Sequence, residues 1–388
     1  MQIIPYADLT WPEVARLPRD LPMLLPLGSG EYDLEAAAAR LEAVDLCLLP
    51  AIPYGFRRVD DDPLDRLAVR PALLRRVLAG VAKELSAQGF QRIAVLNSYG
   101  DQGLASGSAH MLDIPCQPQP PAPWPADLAQ RTVVISTGHT EQHGYHLPLS
   151  TDTLIVQAIA DGLASRAPGE VWCLPAWPYG VSTHTREFPG TLNLGGRVFE
   201  DFFLAVVDRL AALGADTIYF SNGHGGNHSF LVNVVKLAGE HHPDRFIATE
   251  WLHTTGPALA RHRQSAIGGM GHGGELETSY VLHLRPDLVQ MEQATTETDF
   301  ISTPGYYMDW VEGGRLIANP PWSDDTASGI YGDGRLGSAE KGRLWLAAAV
   351  EEKLETVREL REQHTLRQIK RAWRTETASY RWSVNGDR

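Results

Sequence analysis

Three short, glycine-containing segments of this 388-residue chain combine carboxylate and imidazole side chains. In chain order they read EQHGYHLPLSTD, NGHGGN and HGGELETS. Nitrogen and oxygen donors of this kind are preferred protein ligands of Zn²⁺, Mn²⁺ and Fe²⁺, and none of the three segments contains a cysteine. The pattern therefore favours a metal-dependent catalytic site over a thiolate-bound structural zinc. The side chains that could take part are Glu141, His143, Asp152, His224, His272, Glu275 and Glu277.

Each segment taken alone is ambiguous. A glutamate and a histidine at a helix start are usually solvated or capping groups, and NGHGGN could form a simple turn or a loop that cradles phosphate. Three such segments in order, each at a predicted strand end, favour one shared site. His184, in the loop THTREFPGT, could belong either to that site or to the surrounding structure.

The segments lie between alternating strands and helices. The β-branched run RTVVIST predicts a strand before the first segment, and TIYFSN predicts one before the second. Apolar residues at helical spacing occur in TDTLIVQAIADGLASRA, VFEDFFLAVVDRLAALG and SFLVNVVKLAGEH. Such alternation predicts parallel βαβ units, whose strands present ligand-binding loops at their carboxyl ends. We therefore predict an α/β fold with a mainly parallel sheet.

A proline-rich stretch divides the chain into two parts. Residues 117–125, QPQPPAPWP, contain five prolines in nine positions and cannot form a helix or a central strand. We predict a stiff connector there, between a first domain at residues 1–116 and a second domain at residues 126–388.

The first part repeats landmarks of the second part. Tyr54 and Asn97 are separated by the same 43 positions as Tyr179 and Asn222. The repeat predicts that residues 1–116 are a smaller, degenerate copy of the second domain. The copy has Asp33 where the second part has His143, and about 15 residues that carry the metal-binding pattern are missing. We expect it to bind no metal.

Charge and composition exclude several classes of partner. The chain has 34 Lys and Arg against 47 Asp and Glu, and its formal net charge of −13 argues against binding to nucleic acid or an anionic membrane. No run of about 18 apolar residues is present, and the N-terminus lacks the pattern of a signal peptide. The three widely spaced cysteines of the chain suggest a reducing, cytoplasmic location.

The motifs resemble those of the creatininase, or creatinine amidohydrolase, family. That family has E-x-H-G-x-H-x-P-x-x-x-D, P-G-T, N-G-H-x-x-N and H-[AG]-G-x-x-E-T-S, which here read EQHGYHLPLSTD, FPGTLNL, NGHGGN and HGGELETS. The resemblance is strong over roughly residues 130–360. It implies a three-layer α/β/α domain with two divalent metal ions (Zn, Mn or Fe) at the carboxyl ends of parallel strands.

Functional roles follow from the resemblance, position by position. Asp152 would bridge the two ions, and His272 would carry a proton to the leaving nitrogen in a site that also includes Glu277. The other ligands implied are Glu141, His143 and His224. Substrate contacts are expected from His184, Asn222, Gly225 and Asn227.

Departures from the family pattern concern the metal ligands and the substrate. Creatininase has a ligand glutamate where this chain has Gly226, so we expect Glu275 to supply the fifth ligand. Glu277 is then a partner behind the ligands or the alternative ligand. Creatininase also closes its pocket with aromatic residues at the positions of Gly225 and Gly268, which makes creatinine a poor candidate substrate here. Aromatic residues of PGYYMDW and NPPWSDD could line a larger pocket.

The resemblance implies a metal-dependent amidohydrolase that cleaves a C–N amide with water activated by two metal ions. The amide could be cyclic, a formamide or small and peptide-like. A metal-dependent isomerase or lyase acting on a small polar metabolite, and a non-catalytic scaffold, remain alternatives. Family members tend to form oligomers, so we expect a homo-oligomer. We also expect the first domain to act as a built-in pseudo-subunit that shapes the pocket rim around Tyr54–Arg58.

Overall fold

The computed structural model describes residues 1–28, 30–57, 63–100, 102, 104, 110–118, 124–252, 257–311 and 313–385. The helices are α1 (Trp11–Arg16), α2 (Leu34–Arg40), α3 (Pro71–Ala87), α4 (Thr151–Arg166), α5 (Gly196–Ala212), α6 (His228–His241), α7 (Pro257–His262), α8 (Glu275–Leu284) and α9 (Ala339–Asn385). The strands are β1 (Ile3–Pro5), β2 (Met23–Pro26), β3 (Gly30–Tyr32), β4 (Leu46–Leu48), β5 (Ile93–Asn97), β6 (His110–Asp113), β7 (Cys116–Pro118), β8 (Thr132–Thr137), β9 (Val171–Cys173), β10 (Thr217–Asn222), β11 (Phe246–Thr249), β12 (Thr296–Glu297) and β13 (Gly332–Asp333).

Two parallel sheets form the framework. The first has the strand order β1-β4-β2-β5-β6 and the second has the order β11-β10-β8-β9. Every pairing within these two sheets is parallel. The prediction of an α/β fold with mainly parallel sheets is therefore confirmed.

The second sheet is covered by helices on both faces. Since alternate strand residues point to opposite faces, Val133 and Ile135 of β8 pack in one core with α5 and α6, while Val134 packs in another core with α4, α8 and α9. The resulting three layers have the architecture implied by the resemblance. Strand β10 pairs with β8 up to Asn222 and Thr137, so the loops that follow the two strands begin side by side.

The two sheets share a topology. When β1 is left out, each sheet has four strands, which can be numbered one to four along the chain. Across each sheet these strands lie in the order two, one, three, four. Helices α3 and α5, which precede the third strand of each set, pack against each other. A Cβ built on Gly80 of α3 would lie 3.1 Å from the side chain of Leu194, so the backbones approach closely there.

Tyr54 lies in the contact between the two parts of the chain. Its side chain is fully buried, with its ring centroid 5.3 Å from that of Trp177 and 6.2 Å from that of Phe202. The prediction that Tyr54 contributes to a pocket rim is therefore wrong, because the contact between the two parts of the chain buries its side chain. Arg58 lies outside the described residues.

The connector is partly ordered into a strand. Cys116–Pro118 forms β7, which pairs antiparallel with β3, whereas positions 119–123 of the proline-rich stretch lie outside the described residues. Within the described part of the chain, no helix combines the length and apolarity needed to cross a bilayer.

Candidate metal centre

Three strand-to-helix and loop-to-helix connections bring the polar residues together. The loop after β8 carries Glu141 and His143, and Asp152 follows in the first turn of α4. His224 lies just beyond β10, and Glu277 lies in the first turn of α8. The β10 loop approaches α4 through Gly223, where a Cβ would lie 2.8 Å from the carbonyl oxygen of Asp152. Only glycine permits this approach without a shift of the backbone.

Asp152 lies between two groups of possible ligands. Its Oδ1 is 3.1 Å from Nε2 of His143, which is 3.7 Å from Oε2 of Glu277. Its Oδ2 is 3.0 Å from Nδ1 of His224, which is 3.1 Å from Oε2 of Glu141. All five residues are buried. Such a set, with a carboxylate shared between two imidazoles, matches the donors of a divalent metal centre.

Backbone carbonyls determine which ring nitrogens face the cluster. Nδ1 of His143 donates to the carbonyl oxygen of Glu141 at 3.0 Å, and Nε2 of His224 donates to that of Val181 at 3.1 Å. In the neutral rings, the opposite nitrogens therefore present lone pairs to Asp152 and its neighbours. A divalent cation between these nitrogens and the carboxylates would be coordinated by both, so these residues fit a metal ion.

Two buried carboxylate oxygens support the same conclusion. Oε2 of Glu141 and Oδ2 of Asp152 have no hydrogen-bond partner. A buried carboxylate oxygen without a donor is costly, and a divalent cation would remove that cost.

The pKa values reflect the concentration of negative charge. Burial by itself lowers the pKa of His143, but the charge of Asp152 and its hydrogen bond outweigh burial and raise the pKa to about 9. Burial raises the pKa of Glu277 to about 7, despite the nearby His143. Three buried carboxylates thus compete for few positive partners, which is the electrostatic setting that favours a divalent ion.

His272 faces the cluster from the third segment. Its Nε2 donates to the carbonyl oxygen of Gln142 at 2.6 Å, which leaves Nδ1 3.8 Å from Oε2 of Glu141. Burial and the neighbouring His143 lower the pKa of His272 to about 3, so the ring is neutral. With Nε2 carrying the proton, Nδ1 presents a free lone pair towards the cluster.

A cavity of about 600 Å³ opens above this cluster. Its floor includes Asp152, His224, His272 and Glu277, and its walls include Trp251, Tyr306, Met308, Trp310 and Trp322. The two aromatic-rich segments of the late sequence thus line a pocket, as expected from their composition.

Comparisons with known proteins agree with this geometry. The family model "Creatininase: Creatinine amidohydrolase" matches residues 125–357. The chain belongs to the creatininase family. It is accordingly a hydrolase that acts on carbon–nitrogen amide bonds.

Individual relatives cover a similar share of the chain. The "Mycofactocin precursor peptide peptidase" of Mycobacterium ulcerans is 31% identical over 241 residues, which is 60% of this chain and 85% of that protein. The "Creatinine amidohydrolase" of Pseudomonas putida is 27% identical over 242 residues, or 58% of this chain and 88% of that protein. The solved structure "Creatininase Mn" is 25% identical with a TM-score of 0.51, and the match covers 59% of this chain and 91% of that one.

Glu275 does not face the cluster. Its carboxylate forms an ion pair with Lys341 at 2.6 Å and accepts hydrogen bonds from the backbone N–H groups of Gln264 and Ser265. Two residues that are two positions apart on a helix are rotated by about 200° around its axis. Glu275 and Glu277 therefore point to opposite sides of α8 and cannot face the same site. The expectation that Glu275 supplies the fifth ligand is thereby corrected.

Gly226 has no room for the glutamate that creatininase carries. A Cβ at this position would lie 2.2 Å from the carbonyl oxygen of Val181 and 2.5 Å from Nε2 of His224. Any side chain there would displace the hydrogen bond that orients His224. Glu277 is a carboxylate from another segment that the fold brings close to His143.

The four expected substrate-binding residues divide into two pairs. His184 and Gly225 line the cavity. Asn222 and Asn227 are buried outside its lining, and backbone groups occupy their amides. Asn222 accepts from the N–H of His224 at 3.2 Å, and Asn227 accepts from the N–H of Val181 at 3.0 Å. These two asparagines shape the loop, so the expectation that they touch substrate is corrected.

Sequence reasoning missed several neighbours of the cluster. His139 is fully buried, lies close to Glu141 and His224, and accepts a hydrogen bond on Nδ1 from the N–H of Gly180 at 2.7 Å. Its alternation with Glu141 and His143 at every second position was the available signal. Ser182 and Thr185, which both donate to Oε1 of Glu141, carried no such signal.

Proposed function

We propose that this chain is a two-metal amidohydrolase whose cations are held by Glu141, His143, Asp152, His224 and Glu277. The single observation that carries the proposal is the position of Asp152, whose two oxygens face His143 and His224 respectively. One cation would lie with His143 and Glu277, and the other with Glu141 and His224, with Asp152 bridging them.

The side chains around the cluster support hydrolysis. When bound, two divalent cations polarise a carbonyl group and lower the pKa of a water molecule. Ser182 and Thr185 hold Oε1 of Glu141, which leaves Oε2 for the centre. His272 accepts a proton on Nδ1 and delivers it to the leaving nitrogen, while the bond from its Nε2 to Gln142 keeps the ring in place.

The substrate is proposed to be a small, peptide-like amide. A cavity of about 600 Å³ lies within the usual range for ligand pockets and is large for creatinine, which is a single five-membered ring. The similarity to a peptidase in the family supports the same choice over creatinine. Neither a non-catalytic scaffold nor an isomerase has an observation in its favour.

The test combines metal content with amide hydrolysis. We expect purified chain to contain two divalent cations and to incorporate ¹⁸O from solvent water into the carboxylate product. Asp152→Asn should lose both metal and activity, because the amide cannot bridge two cations. Asp161→Asn, at an exposed position of the same helix α4, is the matched control and should retain both. Full metal content in the Asp152 variant would contradict the proposed centre, and product without ¹⁸O would contradict hydrolysis.

We also propose that residues 1–116 are a degenerate copy that serves as a built-in pseudo-subunit. The common strand order and the packing of α3 against α5 support this proposal. A further similarity is local: Asn97 accepts from the N–H of Tyr99 at 3.2 Å, as Asn222 does from that of His224. With a tyrosine where the catalytic domain has His224, this copy presents no equivalent ligand at that position.

A further inference from the structure

Gly225 and Gly268 leave space for aromatic rings that come from distant parts of the chain. A Cβ built on Gly225 would lie 3.2 Å from Cη2 of Trp310 and 3.8 Å from Cη2 of Trp251. A Cβ built on Gly268 would lie 3.7 Å from the ring of Phe300. The space beside Gly225, which lines the cavity, is therefore occupied by rings from other segments.

We call four of the side chains that line the cavity the aromatic wall: the aromatic residues Trp251, Tyr306 and Trp310, together with Met308. The rings of Trp251 and Trp310 meet edge to face with centroids 6.0 Å apart. On the catalytic side, the ring of Trp322 lies 4.8 Å from that of His272 and 4.3 Å from that of His184. Aromatic side chains therefore lie both at the wall beside Gly225 and next to His272.

The described lining of the cavity contains no lysine or arginine that could pair with an anionic group. The carboxylates among these described residues are Asp152 and Glu277, which belong to the cluster. An anionic group resting on the aromatic wall would lose its hydration without gaining an opposite charge. An ammonium group would exchange strong hydration for a weaker cation–π contact, whereas a flat apolar group would gain by leaving water.

We propose that the aromatic wall binds an uncharged aromatic group of the amide substrate, and that Trp310 determines this specificity. The inference rests on the proposed amidohydrolase function and names its substrate class: amides that carry an aromatic side chain next to the scissile bond. Trp310 is a substrate-binding residue in this scheme and takes no part in proton transfer.

A matched series of amides tests the substrate class. The N-acetyl derivatives of phenylalanine amide, cyclohexylalanine amide, lysine amide and glutamate amide have the same backbone amide bonds and differ only in the side chain. We expect kcat/KM to fall in the order phenylalanine, cyclohexylalanine, then the two charged residues, with at least a tenfold step to the charged pair. Equal or greater kcat/KM for the lysine or glutamate amide would overturn the proposal.

Variants of Trp310 test the residue. Trp310→Ala should raise KM for the phenylalanine amide roughly tenfold or more, with kcat much less affected, because stacking area is lost and the catalytic groups are untouched. Trp310→Phe should restore most of the affinity and guards against a folding defect in the alanine variant. Trp373→Ala, which changes an exposed tryptophan outside the cavity lining, is the control and should leave KM unchanged.

Direct binding separates this proposal from the proposed function. Calorimetric titration of the metal-loaded protein with N-acetyl-phenylalanine amide should show binding that Trp310→Ala weakens. Binding of this kind without hydrolysis of any amide would refute the amidohydrolase proposal and leave the aromatic wall standing. Absence of binding, or binding that Trp310→Ala does not weaken, would refute the proposal that the aromatic wall binds an aromatic group.

Discussion

Two glutamates of one helical turn have separate tasks in this molecule. Glu277 faces His143 and Asp152, whereas Glu275 faces Lys341 of α9. The helix itself imposes the difference, since successive residues rotate by about 100° around its axis. Counting carboxylates in HGGELETS therefore does not show which of them faces the cluster, whereas the direction of each side chain does.

Glu277→Gln should reduce bound metal by about one equivalent per chain, because it removes a charged ligand and keeps the shape of the side chain. Glu275→Gln is the matched control and should retain both equivalents, since its carboxylate lies away from the cluster. Metal analysis of the two purified variants makes the comparison. A larger deficit in the Glu275 variant would show that the structural assignment is reversed.

The stability that Glu275 contributes to the folded protein should depend on pH. Burial opposes ionisation of Glu275, but hydrogen bonds from Lys341 and Ser265 prevail and lower its pKa in the folded state. A lowered folded pKa contributes stability above the unfolded value of about 4.3, and this contribution is lost as pH falls through the folded pKa. We expect Glu275→Gln to cost roughly 3 kcal/mol near pH 7, the lower end for breaking a buried ion pair.

Urea unfolding of wild type and Glu275→Gln at pH 7 and at acidic pH measures this dependence. The difference between their unfolding free energies should narrow as the pH is lowered. A difference that is constant with pH would show that the ionised carboxylate is not the source of the stability.

His272→Ala should lower kcat by roughly 10²–10⁴ while both metal equivalents stay bound, as expected for a lost proton-transfer group outside the ligand set. His241→Ala, at an exposed position at the end of α6, is the control and should match wild type. Metal analysis and steady-state kinetics on the same preparations separate the two roles. Loss of metal in the His272 variant would place this histidine among the ligands.

At the scale of elements, the metal centre depends on how closely α9 packs against α8. Gly342 of α9 makes this contact possible, since a Cβ there would lie 2.0 Å from the carbonyl oxygen of Ser279 in α8. The obstacle is backbone, so it cannot move aside as a flexible side chain could. Helix α8 carries Glu277, and its position is therefore linked to the ligand set.

Gly342→Ala should destabilise the protein by roughly 1–3 kcal/mol through overpacking. Gly239→Ala in α6 is the control, because a Cβ there meets nothing within 4 Å and alanine favours the helix. Urea unfolding should show a loss of stability for the first variant and a gain of about 0.5–1 kcal/mol for the second. Equal effects at the two sites would contradict the close approach of α8 and α9.

At the scale of the whole molecule, the two parts share one apolar core. Residues of both parts, among them Tyr54 and Val77 in the first and Phe202 and Val206 in the second, belong to the same buried cluster. The first part also supports the loop that leads to Asp152: the N–H groups of Leu149 and Ser150 donate to the carbonyl oxygens of Leu9 and Ala7, each at 2.9 Å. Removing residues 1–116 would expose one face of α5 and free this loop.

Residues 126–388 expressed alone should be poorly soluble or weakly metallated, because the apolar face of α5 loses its cover. Co-expression of residues 1–125 should restore solubility, metal content and activity. Size-exclusion chromatography with metal analysis and an amide assay provides the measurement. If the fragment alone is soluble, fully metallated and as active as the full chain, the pseudo-subunit proposal fails.

The sequence by itself determined the fold class and the convergence of Glu141, His143, Asp152 and His224. Hydrophobic periodicity and strand–helix alternation are local properties, and the carboxyl ends of neighbouring parallel strands necessarily share an edge of the sheet. Residues placed directly after such strands, or in the next helical turn, must therefore meet.

Only the tertiary structure decided the rest. Glu275 is turned away by Lys341, which is 66 positions later, and the space beside Gly225 is filled by Trp310, which is 85 positions later. Asn222 and Asn227, which the motif suggested for substrate, are instead occupied by backbone groups of the folded loops. These outcomes depend on which side chains meet across long separations in the chain. No local periodicity or motif spacing contains that information, because it arises only when the layers pack.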